Sequence, residues 1–162
     1  VLNKTLEAAL NTQIREEMFS SYLYLSMSAY CESNNYPGVA HWLKLQAQEE
    51  LAHAMKFYGF IIDRGGKVAL EAIPQPEAEF GALPELFEKV LAHEEKITGL
   101  IHNLYTLATE AKDYASIPLL QWFVSEQVEE EKNATEVLNL MKVAAGSPHT
   151  LLFADRELGK RQ

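Results

Sequence analysis

Residues 46–53 read Gln-Ala-Gln-Glu-Glu-Leu-Ala-His, and within them Glu50 and His53 stand three positions apart. On an α-helix that spacing puts a carboxylate and an imidazole on one face, a turn apart, where both can grip a single metal ion. A lone pair of this kind is more often a surface glutamate beside a core histidine. The neighbouring residues change that reading. Leu43, Gln46, Ala47, Glu50, His53 and Phe57 follow one another at steps of three and four, the period of a buried helical stripe. A carboxylate on such a stripe costs several kcal/mol unless something compensates its charge.

Three further stripes carry the same interruption. Glu17 lies between Ile14 and Ser21 on a face marked by Leu6, Leu10, Tyr24 and Ser28. Glu94 breaks the seam of Phe87, Val90, Ile97, Ile101, Leu104 and Ala108. Gln127 and Glu130 break that of Leu120, Phe123, Ala134, Val137 and Met141. All fall near mid-length of their segments, and no Lys or Arg shares these faces. The pattern therefore points to a buried cluster of four carboxylates, whose charge two divalent cations would balance. Oxygen donors with one imidazole suit iron, manganese or zinc and do not suit copper(I).

Positioning these residues at one depth requires long helices. The periodicity predicts helices over about 5–33, 39–64, 83–112 and 115–145, with a short fifth over about 150–158. Asn34-Asn35-Tyr36-Pro37-Gly38 is turn chemistry, and Gly65-Gly66 supplies a left-handed cap. Residues 67–82, with Pro74, Pro76 and Gly81, lack helical period. Extended, they reach roughly 50 Å, enough to run the length of a helix of about 40 Å. The second and third helices are then parallel, and short links make the other neighbours antiparallel. The expected fold is all-α: one domain over 1–162, a four-helix bundle with a single long crossover between helices 2 and 3.

Composition narrows the function. The chain has 162 residues, 48% hydrophobic, without an apolar run long enough to span a bilayer. Its formal charge of −9 disfavours nucleic acid and favours cations as partners. Cys31 is the only cysteine, so neither an internal disulfide nor a thiolate metal site is available. Val1-Leu2-Asn3-Lys4 shows no signal-peptide pattern. A cytoplasmic protein, off the membrane, is the expectation.

Three stretches, Glu17-Met-Phe-Ser-Ser-Tyr-Leu-Tyr24, Ala47-Gln-Glu-Glu-Leu-Ala-His53 and Gln121-Trp-Phe-Val-Ser-Glu-Gln-Val-Glu-Glu-Glu131, carry a resemblance to the bacterial non-haem ferritins that extends over nearly the whole chain. That resemblance implies a ferritin-like bundle whose fifth helix packs around a four-fold axis, with Leu151, Leu152, Phe153 and Leu158 as its apolar face. It implies a ferroxidase that oxidises Fe(II) with O₂ or H₂O₂, and a hollow homo-oligomeric cage of 24 subunits that stores the ferric mineral. Residue by residue, Glu17, Glu50 and His53 would bind one iron, Glu50 bridging to a second held by Glu94 and Glu130. Gln127 would stand beside the oxygen-binding region and Tyr24 next to the centre. Glu49, Glu126 and Glu129 match a third iron site, although spacing alone reads them as a solvated acidic face.

Ferritin-like di-iron bundles are themselves the general example of inward carboxylates joined to Glu-x-x-His pairs. Here only one such pair is complete, since Gln127-x-x-Glu130 replaces the other. Haem-binding relatives place methionine immediately after the glutamate of the first pair, where this chain has Leu51, so no haem is expected. Ile117 and Leu120 stand where animal ferritins carry the carboxylates of an acidic three-fold pore. Trp122 reads as packing, and His41, His93, His102 and His149 match no ligand position. The alternatives are a di-iron oxidase or peroxidase of the rubrerythrin or mini-ferritin type, or a non-enzymatic metal-binding bundle. One cysteine excludes an appended rubredoxin module.

Overall fold

A computed structural model describes residues 1–162. The chain forms α1 (Lys4–Ser33), α2 (Pro37–Asp63), α3 (Leu83–Glu110), a 3₁₀ turn (Tyr114–Ser116), α4 (Ile117–Ala144) and α5 (Pro148–Leu158), with no strand. The helix count and order are those the periodicity predicts. The ends differ by one or two residues, and local chemistry explains the shifted starts of α2, α4 and α5. Pro37 and Pro148 sit in first turns, where a missing N–H costs nothing, so α2 and α5 begin earlier than expected. Residues 114–116 are wound as 3₁₀ because Asp113 accepts hydrogen bonds from both the backbone N–H and the hydroxyl of Ser116. Arg64 clamps the same carboxylate at 2.8 and 3.0 Å, which holds Asp113 down to about pKa 2.

Two further ends are closed by local hydrogen bonds, that of α2 at the glycine pair the sequence marks. Asn3 accepts from the Leu6 N–H at the start of α1. Gly65 adopts φ +69°, and the N–H groups of Gly66 and Gly65 return to the carbonyls of Ile61 and Ile62, closing α2 in a Schellman turn.

Two separate apolar cores form. One joins Leu6 and Leu10 of α1 with Phe57 and Ile61 of α2, Ile101 and Leu104 of α3, and Leu120 and Phe123 of α4. The other joins Met27 of α1, Leu43 of α2, Phe87 of α3 and Met141 of α4 with Leu158 of α5. The early part of α1 thus meets the late parts of α2 and α3 and the early part of α4. That pairing makes α1 antiparallel to α2, α3 antiparallel to α4, and α2 parallel to α3.

The crossover lies along α1, in step with it. Asn11 bridges the Lys67 carbonyl and the Ala69 N–H, Ser26 donates to the Glu77 carbonyl, and Tyr30 donates to the Gly81 carbonyl. At these four points side chains of α1 satisfy backbone polar groups of the crossover as it traverses the bundle. Between the two apolar cores lies a waist of buried polar groups: Glu17, Gln46, Glu50, His53, Glu94, Gln127 and Glu130. The α4 stripe turns slightly from expectation, since Leu138 is buried and Val137 only half-buried. On α5, Leu158 is buried and Leu151 half-buried, but Leu152 and Phe153 point outward from the subunit.

Candidate metal centre

Each helix of the bundle delivers its interrupting residue to the waist. Ligand atoms of Glu17, Glu50 and His53 lie within 4.8 Å of one another, and so do those of Glu50, Glu94 and Glu130. Glu50 belongs to both groups. Two cations could therefore sit side by side with the Glu50 carboxylate between them. A third group, His53, Glu126 and Glu130, meets the same distance condition.

Neutral amides orient the carboxylates without cancelling their charge. Gln13 Nε2 donates to Glu17 Oε1 at 3.0 Å. Gln46 Nε2 donates to Glu50 Oε1 at 3.2 Å and to Glu130 Oε2 at 2.6 Å. Gln127 Nε2 donates to Glu94 Oε2 at 3.2 Å and is equally close to the Glu94 carbonyl and the Thr98 hydroxyl. Tyr24, fully buried, donates its hydroxyl to Glu94 Oε1. One atom remains unmatched: Glu17 Oε2 is the sole buried side-chain oxygen or nitrogen without a hydrogen-bond partner. Such an orphan is costly and points to a ligand that completes it.

Burial raises every carboxylate in the cluster, and mutual repulsion adds to it. Glu17 is pushed up to about 7 and Glu130 to about 8, while Glu50 rises well above the usual carboxylate range and Glu94 rises also. The raised values mean that these carboxyls hold protons more tightly than exposed ones do. Burial, then the charge of Lys56, lowers His53 to about 4, so its imidazole is neutral and has a lone pair to offer. The 3.2 Å contact of His53 Nδ1 with Glu50 Oε2 is consequently a hydrogen bond, despite its ion-pair distance. Trp122 and Phe123 meet the His53 ring edge-on and fix its plane. Burial, with the charge of Glu94, raises Tyr24 far above neutrality, which keeps its phenol protonated as a donor.

The residues matched to a third iron site are distributed differently. Glu126 is half-buried, with Oε1 at 3.7 Å from His53 Nε2. Burial raises its carboxyl, and the charges of Glu129 and Glu49 raise it further. Glu129 is exposed. Glu49 is exposed too, and its carboxylate pairs with Arg161 at 3.0 Å. Of the three, only Glu126 reaches the centre directly.

Sequence reasoning assigned no role to Gln13 or Gln46. Each stands four residues before its carboxylate partner, on the same helical face, so the spacing did contain the signal. His93 is also buried, joined to Ser20 at 2.7 Å and edge-on to Tyr24, and burial lowers it to about 4. A surface cavity of about 650 Å³ between α3 and α4, lined by His102, Tyr105 and Gln121 among others, contains none of the centre's residues.

Inward carboxylates beside one neutral imidazole, set at the waist of a four-helix bundle with one crossover, mark the class of carboxylate-bearing bundles whose waist could hold metal ions. The family described as ferritin-like domain matches residues 7–144. The bacterial non-heme ferritin of Staphylococcus saprophyticus is 40% identical over 161 residues, covering 99% of this chain and 96% of its own length. That of Staphylococcus aureus is 37% identical, with 99% and 97% covered. Among solved structures, an open pore ferritin from the hyperthermophilic archaeon Archaeoglobus fulgidus superimposes with TM-score 0.98 at 41% identity, covering 100% of both chains. An engineered closed form of that archaeal ferritin gives the same TM-score and identity. The chain belongs to the ferritin family.

Proposed function

We propose that this protein stores iron: it oxidises Fe(II) at the waist centre and deposits the ferric product inside a cage built from 24 copies of itself. The observation that carries this reading is the position of Glu50 in two ligand groups at once, one of them shared with Glu17, whose Oε2 has no hydrogen-bond partner. Iron is the substrate. One Fe(II) is held by Glu17, Glu50 and His53 and a second by Glu50, Glu94 and Glu130. Both displace the protons that the raised carboxylates carry in their absence. Two ferrous ions give one electron each, reducing O₂ to H₂O₂ with two protons, or H₂O₂ to two waters with two protons. Hard carboxylate oxygens favour Fe(III) over Fe(II), which assists the loss of electrons.

Gln127 contributes an amide where a charged ligand would bind the ferric product more tightly. That favours passage of iron onward, and Glu49, Glu126 and Glu129 form a third position on the way. Tyr24 steadies Glu94 beside the reacting pair. No haem takes part. Exposed Tyr22, Leu25, Leu70 and Ile73 on α1 and the crossover support association of copies. No helix is long and apolar enough to cross a membrane, in keeping with a cytoplasmic cage.

The test is ferric absorbance after a small stoichiometric dose of Fe(II) in air, comparing native protein with Glu50→Ala. Fast oxidation in the native chain and near-background oxidation in the variant are expected. Equal, slow traces would refute a catalytic centre at Glu50, and light scattering on the same sample reports whether the mass is that of a 24-subunit cage.

A further inference from the structure

Residues 159–162, which follow α5, turn back against α2, and the docking is built rather than casual. Tyr36 gives the start of α2 no side-chain cap, and Asp155 of α5 takes that role by accepting from the Val39 N–H at 2.8 Å. The approach is so close that a Cβ on Gly38 would lie 1.8 Å from the Asp155 carbonyl oxygen. Beyond α5, His41 Nε2 meets the Arg161 carbonyl at 2.7 Å. The Arg161 guanidinium lies over the Trp42 ring at 4.6 Å and donates to the Trp42 carbonyl at 3.0 Å. Its other nitrogen reaches Glu49 Oε1 at 3.0 Å. Stacking, backbone hydrogen bond and ion pair together aim one permanent cation at one carboxylate.

Glu49 adjoins Glu50 in sequence, and its charge is felt at Glu126 and Glu130. We infer that Arg161 is a positioning residue for iron leaving the centre: it holds Glu49 until an ion displaces it. The inference rests on the reading of Glu49, Glu126 and Glu129 as a third iron position. A single half-exposed ion pair is a weak bond, so a divalent cation gathering several carboxylates can displace the guanidinium. The guanidinium cannot lose its proton, so it competes for Glu49 as soon as the ion moves on.

Zn²⁺, which has no redox chemistry, stands in for Fe(II) in the test. Its binding to the assembled protein is measured by equilibrium titration and located by anomalous diffraction, in native protein, Arg161→Gln and Arg161→Lys. The two positions at Glu50 provide the internal reference. In Arg161→Gln, which keeps a donor for the Trp42 carbonyl, the third ion should bind roughly three- to fivefold tighter than in native protein. Arg161→Lys, retaining the charge, should return most of the way to native behaviour, and the double variant R161Q/E49Q should lose the gain. Equal third-ion affinity in native and Arg161→Gln, with at most a lower melting temperature, would reduce Arg161 to a structural contact and overturn the inference. So would a gain that survives Glu49→Gln. Zn²⁺ at Glu50 but at no third position in any protein would overturn it too, locating the fault in the third position; no Zn²⁺ at Glu50 in native protein would locate it in the ferroxidase reading.

Discussion

Gln46 and Glu130 are joined by a 2.6 Å hydrogen bond between α2 and α4, two helices whose Cα atoms nowhere come within 8 Å of each other. The same amide also reaches Glu50, so one neutral side chain sets the separation of the two carboxylates, which share a group able to hold a cation. Gln46→Leu keeps the apolar bulk and removes both bonds. A buried carboxylate without its donor costs about 1–3 kcal/mol. The variant should melt lower when metal-free and should oxidise a small dose of Fe(II) more slowly. Normal rates would show that Glu130 finds its place without the amide.

The pH dependence of stability has a defined sign. Glu17 and Glu130 titrate in the folded protein at about 7 and about 8, against an ordinary 4.5. Folding therefore holds extra protons, and this contribution is full below 4.5 and lost as pH rises through 7 to 8. His53 and His93 are shifted the other way, from 6.5 down to about 4, so their contribution is complete above 6.5 and lost as pH falls towards 4. Between pH 6.5 and 8 the carboxylates act alone. The melting temperature of metal-free protein should fall across that window, and saturating Zn²⁺ should abolish the fall. A flat metal-free profile would contradict the carboxylate shifts.

Cation binding should also release protons. Titrating Zn²⁺ into metal-free protein at pH 7 in weak buffer should acidify the solution until the two positions at Glu50 are filled. The release should diminish well above pH 8, where Glu17 and Glu130 have lost their protons beforehand. Binding without proton release would mean that the cluster is ionised when empty.

Tyr24→Phe removes one of the donors that hold Glu94 below the value its burial alone would impose. Glu94 should then protonate more readily, and the pH at which the second Zn²⁺ binds half-maximally should move upward. The first position does not use Glu94 and serves as the control. Equal pH midpoints would show that Gln127 suffices to orient Glu94.

Asp155→Ala should destabilise the subunit by about 0.5–2 kcal/mol through loss of the cap it gives α2. The cap is supplied by α5, so proteolysis should release residues 148–162 faster in the variant. Unchanged cleavage would mean that Leu158 and its apolar neighbours dock α5 without help.

The helices, the crossover and the four interrupted seams were legible because a helix repeats at a known angle and punctuation by Gly and Pro is local. Glu17, Glu50, His53, Glu94, Gln127 and Glu130 reach one waist for that reason. What periodicity does not encode is where a side chain's end goes once its face is fixed. Glu49, Glu126 and Glu129 share acidic character, yet one pairs with Arg161, one leans on His53 and one stays in solvent. The Arg161 contact depends on a non-periodic segment folding back over Trp42, which no helical pattern announces. The surroundings of His93 are hidden for a related reason: Ser20 and Tyr24 are both brought to it from α1.

The division of the interior into two closed apolar cores bears on how such a protein can turn over its contents. Each half is packed by its own apolar side chains, so the charge gathered at the waist interrupts neither core. Protons and ions can then trade places in the polar layer between two blocks that hold no ligand of their own. The bundle is a pair of apolar jaws, and only the grip between them is reloaded.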